Sequence, residues 1–173
     1  MATTKIKRKT AAYKRFCDQL EHRFAKISEI GRIDQRVPCS CVCERQGTDI
    51  DFHFSADGAD RLAPALFFLR LRFAGDLAIN LAGMSALPRG QGYGDIVLRE
   101  LCACADAARL PIWIHSRPEG ESFEQRAIWL NRLGFVEEGG GSHRMTRQPG
   151  GWLAGTLADG FRFFRCLVRC RAA

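Results

Sequence analysis

Residues 87–101, LPRGQGYGDIVLREL, limit what this chain can build more than any other stretch. Gly90, Gly92 and Gly94 alternate behind Arg89, and an amphipathic run follows at once. Ordering a glycine costs more backbone entropy than ordering any other residue, so three of them here imply unusual dihedrals or something close against the backbone. The preceding stretch, DLAINLAGMSA (76–86), reads as a strand. The following run puts Val97, Leu101, Cys104 and Ala108 on one face and Asp95, Arg99 and Asp106 on the other, which predicts a helix over 94–109 ended by Pro111. A strand, a glycine loop and a helix in that order place unpaired N–H groups and the positive end of a helix dipole beside the strand's end. That is a seat for a phosphate, and Arg89 adds a charge at its mouth.

Spacing excludes two common nucleotide loops. A dinucleotide loop needs G-x-G-x-x-G, and counting from Gly90 the last position is Asp95. A Walker loop needs Lys and Ser or Thr after its final glycine, and Asp95 and Ile96 follow Gly94. A glycine-rich turn that binds nothing is the competing explanation.

The flanking chain predicts an α/β (α+β) arrangement. Tyr13, Phe16, Leu20, Phe24 and Ile27 recur at spacings of three and four, predicting a helix over 10–30. Residues 39–46 and 49–56 read as strands joined at Gly47, with Ile50, Phe52 and Phe54 alternating with Asp49, Asp51 and His53. PALFFLRLRF reads as a strand over 65–73, although a short helix also fits it. Downstream come a strand at 112–116, a helix over 122–133 capped by Gly134, and closing strands at 135–138 and 143–147. Trp113 and Trp129 read as core aromatics. The tail, 151–173, sets Phe161, Phe163, Phe164, Leu167 and Val168 among Arg162, Arg165, Arg169 and Arg171. Such a basic amphipathic pattern fits a membrane surface, the domain itself, or a second copy in a homodimer.

The 173 residues suit one domain over 1–150 plus that tail. No apolar run is long enough to span a bilayer, and MATTKIKRKT lacks the apolar core of a secretory signal, which predicts a cytoplasmic protein with a basic, frayed N-terminal arm. The formal net charge of +7 favours an acidic or nucleic-acid partner or a polyphosphate cofactor. The eight cysteines read as reduced thiols. Cys39, Cys41 and Cys43 would share a strand face, but zinc sites use wider spacing and a fourth ligand, so no metal is expected.

Arg89-x-x-Gly92-x-Gly94 between strand and helix resembles the acetyl-CoA loop of the GCN5-related N-acetyltransferase (GNAT) superfamily. Leu133-Gly134-Phe135 closing the next helix, and Met145-Thr146-Arg147 in the last strand, resemble the same family. The resemblance spans residues 65–148 and implies a mixed, mostly antiparallel sheet flanked by helices. It implies that 65–148 bind acetyl-CoA and that residues 1–60 form the acceptor side. The coenzyme A pyrophosphate would lie on the amides of Arg89, Gly90, Gln91, Gly92, Tyr93 and Gly94. The pantetheine arm would pair with the backbone of Met84, Ser85 and Ala86, and an N–H there would polarise the thioester carbonyl. The activity implied is direct transfer of an acetyl group to an amine acceptor.

The chain departs from the family pattern at one place. A tyrosine three residues before Leu-Gly-Phe often protonates the departing thiolate there, and this chain has Leu130. An asparagine common at the start of that helix corresponds to about Glu124. Ser116, Ser122 or His115 could supply the proton, water could suffice, or the chain could be a CoA-binding, nucleic-acid-binding or protein-binding module that does little chemistry. His53, beside Asp49 and Asp51, is a candidate base, and a solvated strand face explains the same three residues. Glu119 and Glu121 could rim the acceptor cleft, or be solvated loop charges; His143 reads as surface.

Overall fold

The computed structural model describes residues 2–59, 63–74, 78–115, 123–139 and 144–150. Among them are three helices and eight strands: α1 (Ala2–Phe24), β1 (Glu29–Ile30), β2 (Val37–Gln46), β3 (Asp49–Ala56), β4 (Phe67–Ala74), β5 (Ala78–Ala86), α2 (Tyr93–Ala108), β6 (Ile112–His115), α3 (Phe123–Arg132), β7 (Val136–Glu137) and β8 (Arg144–Arg147). The strands form one sheet in the order β1-β2-β3-β4-β5-β6-β8-β7. Every neighbouring pair is antiparallel except β5–β6. The expected mixed, mostly antiparallel sheet with helices is therefore present. Both edges are two-residue strands, which leaves little open ladder for another chain to join.

One core joins the two halves of the chain. From α1, the fully buried Phe24 packs edge-on against Phe52 and Phe54 of β3, while Tyr13 lies 4.8 Å from Phe73 at the far end of β4. Leu69 and Leu71 of β4 and Val97, Leu98 and Leu101 of α2 complete the layer. An Arg23–Glu100 ion pair of 2.8 Å ties α1 to α2 on that face.

The structure shifts three helix boundaries and settles one ambiguous stretch. α1 starts eight residues before the expected residue 10, so its basic N-terminal part is helical rather than frayed. It stops at Phe24 because Lys26 and Ile27 bond back only three residues, which tightens the last turn. The chain then enters β1, whose Glu29 and Ile30 pair with Pro38 and Val37. α2 ends at Ala108, before Pro111, because Arg109 turns into the left-handed region (φ 55°) and the N–H groups of Arg109 and Leu110 reach back to Asp106 and Ala105. The ambiguous stretch at 65–73 is a strand, paired on both sides.

The break in β5 matters most for function. Leu69 and Leu71, two apart and both fully buried, pair with Met84 and Leu81, which are three apart. Ala82 is the extra residue, and this bulge brings Leu81 and Met84 onto the same buried face. A bulge also bends and twists its strand. Among the described residues β5 pairs with β6 only at Ile79↔Ile112 and Asn80↔Trp113.

α3 ends in the Leu-Gly-Phe signature for a local reason. Gly134 is left-handed (φ 84°), its N–H bonds to the Asn131 carbonyl, and the Phe135 N–H bonds to the Leu130 carbonyl. This is the paired-bond stop in which an apolar residue after the glycine packs on one in the last turn. Leu130 and Phe135, both buried, are those two residues.

Candidate functional site

The gap left by β5 opens into a cavity of about 660 Å³ at the N-terminus of α2. That volume suits a cofactor-sized ligand. Its walls hold Met84, Ser85, Ala86, Arg89, Gly90, Gln91, Gly92, Tyr93 and Gly94, the nine residues that the resemblance placed against a cofactor. The structure adds Phe67 from β4, Gln125, Arg126 and Trp129 from α3, Asp95 from the first turn of α2, and Arg32.

The backbone along the open edge is set by the ladder. Leu87 N–H donates to the Leu66 carbonyl at 3.0 Å, and Phe67 faces Ala86. In an antiparallel ladder such a pair directs its own N–H and C=O groups away from the partner strand. Ala86 and, two positions along β4 at Leu69, Met84 therefore turn their N–H groups toward the edge that, among the described residues, β6 does not pair.

Two of the three glycines answer the packing question directly. Gly92, the residue before α2, is left-handed (φ 76°), and a Cβ on it would lie 3.2 Å from Cγ of Arg32. Gly94 is helical, and a Cβ on it would lie 3.1 Å from the Trp129 ring and 3.2 Å from the Phe67 ring. Part of the glycine requirement is thus internal: Arg32 and Trp129 close on the loop. Only Gly90, also left-handed (φ 77°), has open space where a Cβ would go.

Three arginines, Arg32, Arg89 and Arg126, line the cavity against one carboxylate, Asp95. That carboxylate accepts a hydrogen bond from Trp129 Nε1. Arg32 arrives from a loop that folds back after β1, where Gly31 (φ 126°) leaves no room for a Cβ against the Gln35 carbonyl 2.7 Å away. Sequence reasoning missed Arg32. The motif Gly31-Arg32 carries the only hint, since a glycine just past the end of an expected helix marks a turn of the chain. Trp129 packs against the core and also forms a wall of the cavity, and Leu130 beside it is fully buried.

The two described candidate catalytic residues, His115 and His53, do not line this cavity. His115 is exposed at the end of β6, where it meets the edge of Trp113 at 5.3 Å. His53 is half-buried with its ring 5.0 Å from Phe68, two strands from Ser85 on the same sheet face. Its neighbours are engaged: Asp51 and Arg70 form a two-pronged pair at 2.8 and 2.6 Å, and Asp49 and Arg72 another at 2.8 Å each. The Arg70 hydrogen bonds hold the Asp51 carboxyl below its usual range, despite burial, and Arg72 does the same for Asp49. Asp51 is only 5% exposed, so alternation misplaced it on a solvated face. Ser116, Ser122, Glu119, Glu121, His143 and the tail at 151–173 lie outside the described residues; Glu124 falls in the first turn of α3.

The thiols are quiet. Burial is the largest cause that pushes Cys17, Cys39, Cys102 and Cys104 up to about 11, and Cys41 and Cys43 up to about 12. Cys43 also donates to Glu21 at 3.2 Å. Among the described residues no three His, Cys, Asp or Glu side chains could hold a metal ion together. Iodoacetamide should label these six cysteines slowly in the native protein at pH 8 and readily after unfolding, as read by mass spectrometry. A thiol whose folded value lies above its ordinary 9.0 contributes stability below pH 9, and that contribution is lost as the pH rises toward 11. Stability should therefore fall over that alkaline window.

No protein-family model matches the chain, and no curated protein matches it. Among the described residues no helix is long and apolar enough to cross a membrane.

Proposed function

We propose that the chain is an acetyl-CoA-dependent N-acetyltransferase with a GNAT-like fold. The observation that carries this is the meeting of two features in one cavity. An anion seat of helix N-terminus and three arginines lies beside a strand edge whose Met84 and Ala86 N–H groups are, among the described residues, unpaired by β6.

The residues fit the cofactor. A diphosphate suits the amides at 89–94 with Arg32, Arg89 and Arg126 around them. An extended amide-bearing arm suits the open edge of β5, as an added strand would. Bound acetyl-CoA supplies the acetyl group as a thioester. The chain's own part is positioning and charge. An N–H from Met84 or Ala86 stabilises a carbonyl oxygen that gains charge in the transition state. Phe67, Met84 and Trp129 keep water from the inner wall.

No proton donor stands at position 130. Leu130 is buried in the core, and the paired-bond stop of α3 fixes it there. The thiol of coenzyme A has an ordinary pKa near about 8.5, so water can reprotonate it near neutral pH. The reading therefore expects turnover without an acid at position 130.

Acetyl-CoA should raise the thermal midpoint. At about 100 times the dissociation constant a ligand adds roughly 2.7 kcal/mol, which for a chain of this size is about 5–10 °C. A mass-spectrometric screen of amine acceptors then reads the transfer itself. No thermal shift with millimolar acetyl-CoA would overturn the proposal. A shift with no acetylated acceptor would leave a binding module.

A further inference from the structure

The net charge of +7 has a location. Residues 1–17 hold Lys5, Lys7, Arg8, Lys9, Lys14 and Arg15 and no acid, since Asp18 is the first. The rest of the chain has 20 Lys and Arg against 19 Asp and Glu, close to neutral. Six of the seven excess positive charges thus lie in the first four turns of α1.

That part of α1 stands apart from the cavity. Tyr13 meets Phe73, and Phe24 meets Phe54, which neighbours Phe67 on the cavity wall. Phe67 and Phe73 are six positions apart on β4, about 20 Å. α1 therefore runs toward the cavity, and its start at Ala2 lies a further 16 Å or about three turns before Tyr13. Arg109, at the C-terminal end of α2, is exposed and adds a cation among the described residues.

The helix carries these cations at a cost. Its first turn has no acid, and cations at the N-terminal end oppose the helix dipole. An arm of this kind gains most from a partner that is a line of closely spaced negative charges. Between Ala2 and Ala12 the only large apolar residue is Ile6, so a bilayer would find almost nothing to bury. A phosphate backbone requires charge alone.

We propose that the N-terminal part of α1 is a nucleic-acid arm that binds the phosphate backbone without reading base sequence. It stands independently of the acetyl-CoA site.

The test uses the full chain and a fluorescent duplex of arbitrary sequence in a salt series. Six phosphate contacts predict a slope of log affinity against log salt of about −5. Replacing Lys5, Lys7, Arg8 and Lys9 by Gln should reduce the slope to about −2 and weaken low-salt binding by at least about tenfold. The Lys5→Arg, Lys7→Arg, Lys9→Arg variant should bind as the parent does. The thermal midpoint should fall in neither variant, which separates lost binding from lost folding. An unchanged slope in the Gln variant overturns the proposal. So does a parent that ignores the duplex but binds phosphatidylserine vesicles through the same four residues.

Discussion

Asp106→Ala should lower the stability of this protein by about 3–5 kcal/mol, the usual cost of leaving a buried charge without its partner. The charge is Arg147, which is 0% exposed on β8. Its guanidinium grips Asp106 on α2 at 2.7 and 2.6 Å, and its Nε donates to the Leu133 carbonyl at 2.8 Å. The Gly150 N–H caps the same carboxylate at 2.7 Å. One pair thus pins the last described strand to α2 and to the turn after α3. A loss of that size is a large share of a typical 5–15 kcal/mol and should lower the thermal midpoint by roughly 10 °C or more.

The paired change Asp106→Leu, Arg147→Met should recover much of that loss, because apolar groups of similar volume can replace a buried ion pair. Denaturant melts of the two single variants and the pair close the cycle. A pair no more stable than the worse single would show that the ions themselves are needed. Burial pushes the Asp106 carboxyl up, but the Arg147 hydrogen bonds, the Gly150 N–H and the Arg147 charge outweigh it and hold it below its ordinary 3.8. The sign follows: the pair's contribution is full above about pH 4 and is lost as the pH falls through the depressed value. Acid unfolding should begin at higher pH in Asp106→Asn, which cannot ionise.

Gly90→Glu should abolish stabilisation by acetyl-CoA while the fold survives. Nothing stands within 4 Å of a Cβ at Gly90, so the cost is the strained φ of 77°, about 1 kcal/mol. The carboxylate, however, enters a cavity whose ligand would be anionic. Gly94→Glu should behave differently. Its side chain would collide with Trp129 and Phe67 and lower the thermal midpoint even without ligand. Gly92→Glu combines both effects, because Arg32 lies 3.2 Å from its Cβ. Comparing midpoints with and without acetyl-CoA separates the loop's internal packing from its ligand. A Gly90→Glu protein that still gains stability from acetyl-CoA would remove the loop from the binding site.

Local pattern carried most of the element plan. Period-two alternation marked β3, and its apolar members Ile50, Phe52 and Phe54 are buried, with Asp51 buried beside them. Spacing of three and four marked Phe16, Leu20 and Phe24. Gly47 (φ 61°) and Gly134 turn where glycine was expected to turn. The misses share a cause. β1 is two residues long, too short for a period to register. The bulge at Ala82 shows in sequence only as a slip of phase between Leu81 and Met84, which looks like any irregular strand end. Asp51 and Asp106 looked like solvent-facing acids because their partners, Arg70 and Arg147, are 19 and 41 residues away.

By itself the sequence determined the order strand, glycine loop, helix, because turns, caps and helix dipoles are made by neighbours in the chain; the nine residues along the cavity came from the family resemblance. It also determined the charge of the α1 arm, which is composition alone. Only the tertiary structure decided that Arg32 covers Gly92, that Trp129 rests on Gly94 and bonds to Asp95, and that β5 pairs with β6 no further than Asn80 among the described residues. Those depend on which surfaces meet when the chain packs, and close packing settles such meetings by volume and shape that no local spacing encodes.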